Sequence, residues 1–125
     1  MENYKGCIIS ESLDDPTIIN TLTVFKAEIT KTVLEIDDKG TLGQWHIYYI
    51  LCSRRTIDEL QPHILKGWYA HFWIGERIIV VYNEAQFEIL KNDRSSWQAA
   101  TEHGLALGIP KEQLDFYFTD ELLSD

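Results

Sequence analysis

The sequence predicts an α+β fold: a two-layer sandwich with a mostly antiparallel sheet of about five to six strands and two main helices on one face. Short segments with period-2 alternation recur along the chain, and segments with helical periodicity interrupt them irregularly. The chain has 125 residues, 45% of them hydrophobic, which is enough for one core. We expect a single domain over residues 1–118 and an acidic, frayed tail over residues 119–125.

The N-terminal third is predicted to contain two strands separated by a helical turn. An apolar run bounded by charge predicts a strand over residues 4–11. Asp15 directly before Pro16 indicates an N-cap followed by the first residue of a short helix. Residues 22–36 predict a long half-buried strand, because apolar and polar residues alternate in its middle. Turn-forming residues fill the segment 37–43 that follows.

The middle of the chain is predicted to contain a buried strand and an interrupted helix. Residues 45–52 have bulky side chains at both alternating sets of positions, which indicates a central strand or one lying under a second layer. Thr56 begins a sequence with the form of a capping box, so we expect a helix to begin there. Pro62 predicts a kink or two short pieces, because its ring crowds the preceding turn and it has no N–H to donate. Gly67 is expected to end this segment.

Three strands and a final helix are predicted for the rest of the chain. Residues 68–74, 77–82 and 86–90 are separated by tight-turn residues, which is typical of a meander. Ser95 or Ser96 is expected to cap the last helix. The buried stripe of that helix is predicted to comprise Trp97, Ala100, Gly104 and Leu107. A glycine on this stripe favours close packing of the helix against the sheet.

Charge and hydropathy narrow the classes of partner. The chain has 11 basic and 20 acidic residues, a net charge of −9. Such a surface repels phosphate backbones and anionic lipids, so we expect neither nucleic acid nor membrane as a partner. No long apolar run or signal peptide is visible, and we expect a cytoplasmic protein.

Cysteines and histidines give no sign of a cofactor. Cys7 and Cys52 lie in separate apolar runs outside any CxxC pair, so we expect free buried thiols. The four histidines lack the local spacing of a metal site. We therefore expect no metal and no cofactor.

Six short segments of the chain are characteristic when taken together. They are residues 5–13 (KGCIISESL), 44–46 (QWH), 68–72 (WYAHF), 81–83 (VYN), 87–89 (FEI) and 104–116 (GLALGIPKEQLDF). Together they resemble a family of small uncharacterised bacterial and archaeal proteins marked by KGxII–ESL, WYAxF and GLxLGIPxxQLDF segments. The resemblance implies one domain across nearly the whole chain. It implies no activity and no catalytic residue.

One aromatic surface is the candidate binding site. Alternation places Tyr69, His71 and Trp73 on one face of their strand, and His46 and Tyr48 on one face of theirs. If the two strands are neighbours in suitable register, these five residues line one sheet surface that suits a small ligand or a protein partner. The alternative is a sheet face covered by the helices or by a second subunit.

Three functions remain open from the sequence. The leading hypothesis is a non-enzymatic domain that uses this surface to bind a small molecule or a protein, its own copy included, as in a homodimer. The first alternative is a small acid–base enzyme that uses His71 or His46. The second is an acidic inhibitor or immunity-type protein for a basic partner. No nucleophile elbow or phosphate loop is present, and the sequence identifies no catalytic residue.

Overall fold

The strands and helices are those of a computed structural model, which describes residues 4–29, 35–36, 42–43, 46–111 and 114. Eight strands lie in this part of the chain: β1 (Tyr4–Ile9), β2 (Thr23–Ile29), β3 (Glu35–Ile36), β4 (Leu42–Gly43), β5 (His46–Cys52), β6 (Ala70–Ile74), β7 (Arg77–Val81) and β8 (Gln86–Leu90). The two α-helices are α1 (Arg54–Leu60) and α2 (Gln98–Ala106). No helix in the described ranges is long and apolar enough to cross a bilayer.

Six of the strands form one sheet in the order β2–β5–β1–β6–β7–β8, and every neighbouring pair is antiparallel. The predicted α+β class is therefore confirmed, and so is the expectation of a mostly antiparallel sheet of about five to six strands, since the sheet has six. The predicted meander corresponds to β6, β7 and β8. The two remaining strands, β3 and β4, pair with each other in a separate two-stranded sheet.

Within the predicted long strand over residues 22–36, the described β-strand residues belong to two different sheets. Its first part is β2, and its last two residues form β3, which pairs with β4 in the separate sheet. Residues 30–34 and 37–41 lie outside the described ranges, as do Trp45 and the predicted tail. The predicted strand over residues 4–11 ends earlier than expected, because Ser10–Ser12 form a 3-10 turn.

The two helices cover opposite faces of the sheet, so the expectation that both lie on one face is wrong. Alternate side chains of the central strands enter two separate core clusters. The first core cluster, under α1, includes Ile8, Ile50, Ile57, Leu60, Phe72 and Ile79. The second, under α2, includes Cys7, Tyr49, Trp73, Val80, Trp97 and Ala100. The physical reason lies in the sequence of β7, where residues 78–81 are all apolar and all buried, so each face needs its own cover.

Local capping differs from the prediction at both helices. The N-cap of α1 is Ser53, whose hydroxyl accepts from the Thr56 N–H at 3.3 Å, so Thr56 lies inside the first turn. Asp93 caps the 3-10 turn Arg94–Trp97 that leads into α2, and neither Ser95 nor Ser96 serves as the cap. A carboxylate at this position accepts from backbone N–H groups as a serine hydroxyl does.

Other local predictions are confirmed. The Asp15 carboxylate accepts from the Thr17 N–H at 3.1 Å, and Pro16 is the first residue of the 3-10 turn Pro16–Thr21. Helix α1 ends at Leu60, and Pro62 lies in the 3-10 turn Gln61–His63. The interruption predicted from the proline is therefore present.

Gly104 allows α2 to pack closely on the sheet. A Cβ at this position would lie 2.5 Å from Leu114 Cδ2 and 2.7 Å from the Tyr82 hydroxyl oxygen, and real Cβ atoms do not approach other atoms so closely. Trp97, Ala100 and Gly104 are buried as predicted, whereas Leu107, which follows the last residue of the helix, is exposed.

Candidate functional site

The predicted aromatic surface is not assembled as expected, because β5 and β6 are not neighbours. Strand β1 lies between them, and Cys7 is opposite Tyr49 on one side and His71 on the other. Opposite residues in an antiparallel pair share a face, so His71 shares its face with Tyr49 and not with Tyr48. His46 and Tyr48 therefore lie on the other face of the sheet from Tyr69, His71 and Trp73.

The three residues that do share a face belong to a stack of rings in the second core cluster. The ring centroids of Tyr69 and His71 are 6.1 Å apart with the rings tilted by 37°, and those of His71 and Trp73 are 5.9 Å apart with an angle of 29° between the rings. His71 is 4% exposed and Trp73 is 1% exposed. This stack is part of the core, so a ligand cannot reach His71 or Trp73 without local opening.

Burial also sets the charge of His71. Removal of the ring from water lowers its pKa from 6.5 to about 3, because the charged imidazolium loses its hydration. The ring is therefore neutral at physiological pH. A general base works best with a pKa near the operating pH, so the geometry argues against the catalytic role considered for His71.

A second group of rings joins the sheet to α2 and was not recognised in the sequence. The ring of Tyr82, which directly follows β7, lies 4.6 Å from that of His103 and 6.0 Å from that of Phe87. The Tyr82 hydroxyl donates to the Ala100 carbonyl oxygen at 2.7 Å. These contacts hold α2 in one position on the sheet, and with it the surface beside that helix.

His46 is paired with a carboxylate on the surface. Glu11 Oε1 accepts from the His46 backbone N–H at 2.7 Å, and Glu11 Oε2 lies 2.8 Å from His46 Nδ1. Partial burial alone would raise the pKa of the Glu11 carboxyl, but hydrogen bonds from His46 and from the Ser10 hydroxyl hold that pKa below its usual value. The pair is about half exposed and is an accessible acid–base group.

A similar pair involves His63 and Asp14. His63 Nδ1 lies 3.0 Å from Asp14 Oδ1, and the Asp14 N–H donates to the His63 carbonyl oxygen at 2.9 Å. The segment 10–15 is thus held at two points by histidines from distant parts of the chain. Within the described ranges, no three His, Cys, Asp or Glu side chains are grouped so that they could hold a metal ion.

An open groove of about 730 Å³ lies beside α2. Its apolar part is formed by Trp97 and Leu114, both nearly buried. The Arg94 guanidinium lies over the Trp97 ring, 4.0 Å from its centre, at a distance typical of cation–π contacts. The Trp97 indole is fixed by a 2.7 Å hydrogen bond from Nε1 to the Leu90 carbonyl oxygen. The described residues that line the groove are Arg94, Trp97, Gln98, Thr101, Glu102, Lys111 and Leu114.

The groove is locally basic on an acidic protein. Its described lining has two basic side chains, Arg94 and Lys111, and one acidic side chain, Glu102, whereas acidic residues outnumber basic ones 20 to 11 in the chain. The Glu102 carboxylate accepts a hydrogen bond from Gln98 Nε2 at 3.0 Å. The sequence did not predict this site because its residues come from three places: a 3-10 turn, a helix and the segment after that helix. The spacing of Arg94 and Trp97, three residues apart at the start of the last helix, was the available sign that a cation lies beside an aromatic ring.

The chain matches no protein-family model, and no curated protein or solved structure is significantly similar to it. The resemblance of its short segments to a known family stays a prediction.

Proposed function

We propose that this chain is a non-enzymatic binding domain that takes a short acidic peptide segment of a partner protein in the groove beside α2. The observation that carries the proposal is the combination of an apolar floor and a basic rim on a protein that is acidic elsewhere. The proposal keeps the binding function expected from the sequence. Its site is the groove and not the buried stack of Tyr69, His71 and Trp73.

The size and shape of the groove support a peptide. Ligand sites commonly enclose roughly 300–1,000 Å³, and about 730 Å³ is within this range. The described lining leaves the groove partly open, which suits an extended segment better than a small molecule that must be enclosed. A side chain of the peptide would contact only the small exposed edges of Trp97 and Leu114, which are 4% and 6% exposed, so most of the affinity is expected from the charged rim.

The charges support an acidic partner. The guanidinium of Arg94, which lies over the Trp97 ring, and the ammonium of Lys111 place positive charge at the rim. Charge complementarity with carboxylates gives specificity and fast association. The described lining contains neither a histidine nor a cysteine, and its one carboxylate, that of Glu102, accepts a hydrogen bond from Gln98 Nε2.

The test is a fluorescence anisotropy titration with a labelled peptide, Glu-Glu-Leu-Leu-Glu-Glu, and its basic counterpart, Lys-Lys-Leu-Leu-Lys-Lys. We expect the acidic peptide to bind and its affinity to fall with salt. Arg94→Glu and Lys111→Glu should each weaken binding by about tenfold, equivalent to ~1.4 kcal/mol. The matched control is Arg55→Glu, at an exposed arginine on α1, which should bind as the wild type does.

Two results would contradict the proposal. Equal loss of affinity in the Arg55→Glu control would mean that only net charge is sensed. Preferential binding of the basic peptide would favour the alternative of an acidic protein for a basic partner.

A second candidate function, acid–base chemistry at His46, is favoured by its pairing with Glu11. A carboxylate on Nδ1 orients an imidazole and leaves Nε2 to exchange a proton with a substrate. The test is hydrolysis of p-nitrophenyl acetate by the wild type, His46→Gln and the matched control His63→Gln. A selective loss in His46→Gln supports this candidate, and equal rates in all three proteins exclude it for this ester.

A further inference from the structure

Strand β2 is an edge of the main sheet, and in the described part of the chain it pairs only with β5. Most of its side chains are exposed, including two large apolar ones, Val24 at 38% and Phe25 at 42%. An edge strand presents a row of N–H and C=O groups that can pair with another strand. The side chains of β2 determine which strand can pair with this edge.

The charges of β2 make it complementary to itself. Lys26 and Glu28 lie on either side of Ala27 and on the same face of the sheet, since they are opposite Tyr49 and Ile47 of β5. Lys26 Nζ is 3.3 Å from Glu28 Oε1. If two β2 strands pair antiparallel about Ala27, Lys26 of each copy is opposite Glu28 of the other. Opposite charges at such cross-strand positions are stabilising.

The other edge of the sheet does not have this property. An antiparallel pair of β8 strands centred on Glu88 would place two carboxylates directly opposite each other, which is destabilising. The exposed side chain of Glu88 therefore discourages self-pairing at β8. In a β8 pair centred on any other residue, Glu88 has no basic side chain of β8 to oppose it, so charge favours β2 as the edge at which a second copy can add.

We propose that β2 pairs antiparallel with β2 of a second copy of this chain, so that one sheet continues through a two-fold axis at Ala27. The ladder is short, because the register against β5 shifts between Val24 and Lys26 and this irregularity limits regular pairing to the residues that follow. We expect a weak, concentration-dependent dimer. The interface involves the edge of the sheet and not the groove beside α2, so it is independent of the proposed function.

Disulfide trapping tests the geometry. Opposite residues of an antiparallel pair have Cα atoms about 4.5–5.5 Å apart, within the range of a disulfide. Ala27→Cys should form a covalent dimer under mild oxidation, while the native Cys7 and Cys52 are buried and should not react. Leu90→Cys, at an exposed position of the other edge strand, is the matched control because it leaves Glu88 in place, and it should stay monomeric. Cross-linking at Leu90→Cys in place of Ala27→Cys would overturn the proposal.

Exchanging the charges at positions 26 and 28 tests whether the cross-strand ion pairs stabilise the dimer, with the dissociation constant measured by sedimentation equilibrium. Lys26→Glu places carboxylates opposite each other in the dimer and should raise its dissociation constant by about tenfold. The double variant Lys26→Glu with Glu28→Lys restores opposite charges and should dimerise as the wild type does, with circular dichroism as the check on folding. A strictly monomeric wild type, or a dimer unaffected by Lys26→Glu, would contradict the proposal.

Discussion

The Tyr82 hydroxyl donates a 2.7 Å hydrogen bond to the carbonyl oxygen of Ala100, and this bond fixes α2 against the sheet. Ala100 belongs to the buried stripe of the helix, which begins next to Trp97. The groove beside α2 depends on this docking, because Trp97 and Leu114 form its floor and pack in the same core cluster as Tyr82. The position of one helix thus connects the core to the candidate site.

Gly104→Ala should destabilise the protein, although alanine is the better helix former. Its Cβ would overlap Leu114 and the Tyr82 hydroxyl, and overpacking in a core costs roughly 1–3 kcal/mol. Urea unfolding measures the change. The effect of adding Leu114→Ala should be less than additive, since it removes the nearest clashing atoms. Additive losses, or a more stable Gly104→Ala protein, would show that α2 can move away freely.

His71 should make the protein less stable as the solution is acidified. The folded state keeps the ring neutral because burial lowers its pKa to about 3, whereas the unfolded chain binds a proton below its usual pKa of about 6.5. The stabilising contribution is therefore complete above pH 6.5 and is lost as the pH falls towards 3. Between pH 7.5 and pH 5 the loss should be about 2 kcal/mol.

Urea unfolding at several pH values measures this effect. His71→Phe keeps a ring between Tyr69 and Trp73 and should have a flatter pH dependence than the wild type between pH 6.5 and 4. His63→Gln, at a surface histidine, is the control and should retain the steep dependence. Parallel curves for His71→Phe and the wild type would mean that His71 does not titrate as described.

Glu11→Gln should reduce stability near neutral pH but not in acid. The pKa of the Glu11 carboxyl is lowered in the folded state, so its contribution is present above the usual glutamate pKa and disappears as the pH falls below it. Because the pair with His46 is about half exposed, we expect no more than about 1 kcal/mol. Thermal unfolding at pH 7 and pH 3 should differ between the variant and the wild type only at pH 7. A constant difference would point to packing and not to charge.

The two thiols should be inert in the native protein. Burial raises the pKa of Cys7 and that of Cys52 to about 12, and for Cys7 the nearby Glu28 carboxylate adds to this effect. The thiolate is the reactive form, so Ellman's reagent should label neither residue until the protein unfolds. Rapid labelling of the native protein at neutral pH would contradict this burial.

The parts of the fold that could be predicted from sequence are those that depend on neighbouring residues. Asp15 before Pro16 and Pro62 after α1 act through local backbone chemistry, and their effects are present. The meander of β6, β7 and β8 follows from strand segments joined by tight turns. Each of these features is encoded within a few residues of the chain.

The parts that could not be predicted depend on distant pairing. No local pattern indicates that β1 lies between β5 and β6, yet this placement moves His46 and Tyr48 to the other face from His71. The side chains of β7 are apolar at every position from 78 to 81, which was the available sign that helices cover both faces. The groove was missed because Arg94, Lys111 and Leu114 meet only when α2 is docked.

The central claim is that the groove beside α2 binds an acidic peptide, and the most direct measurement is a heteronuclear NMR titration of isotope-labelled protein with Glu-Glu-Leu-Leu-Glu-Glu. We expect the backbone amide shifts to change mainly over residues 94–102 and at Lys111 and Leu114, together with the Trp97 indole N–H. Changes centred on Tyr69–Ile74 or on β2, with the groove unaffected, would contradict the proposed site.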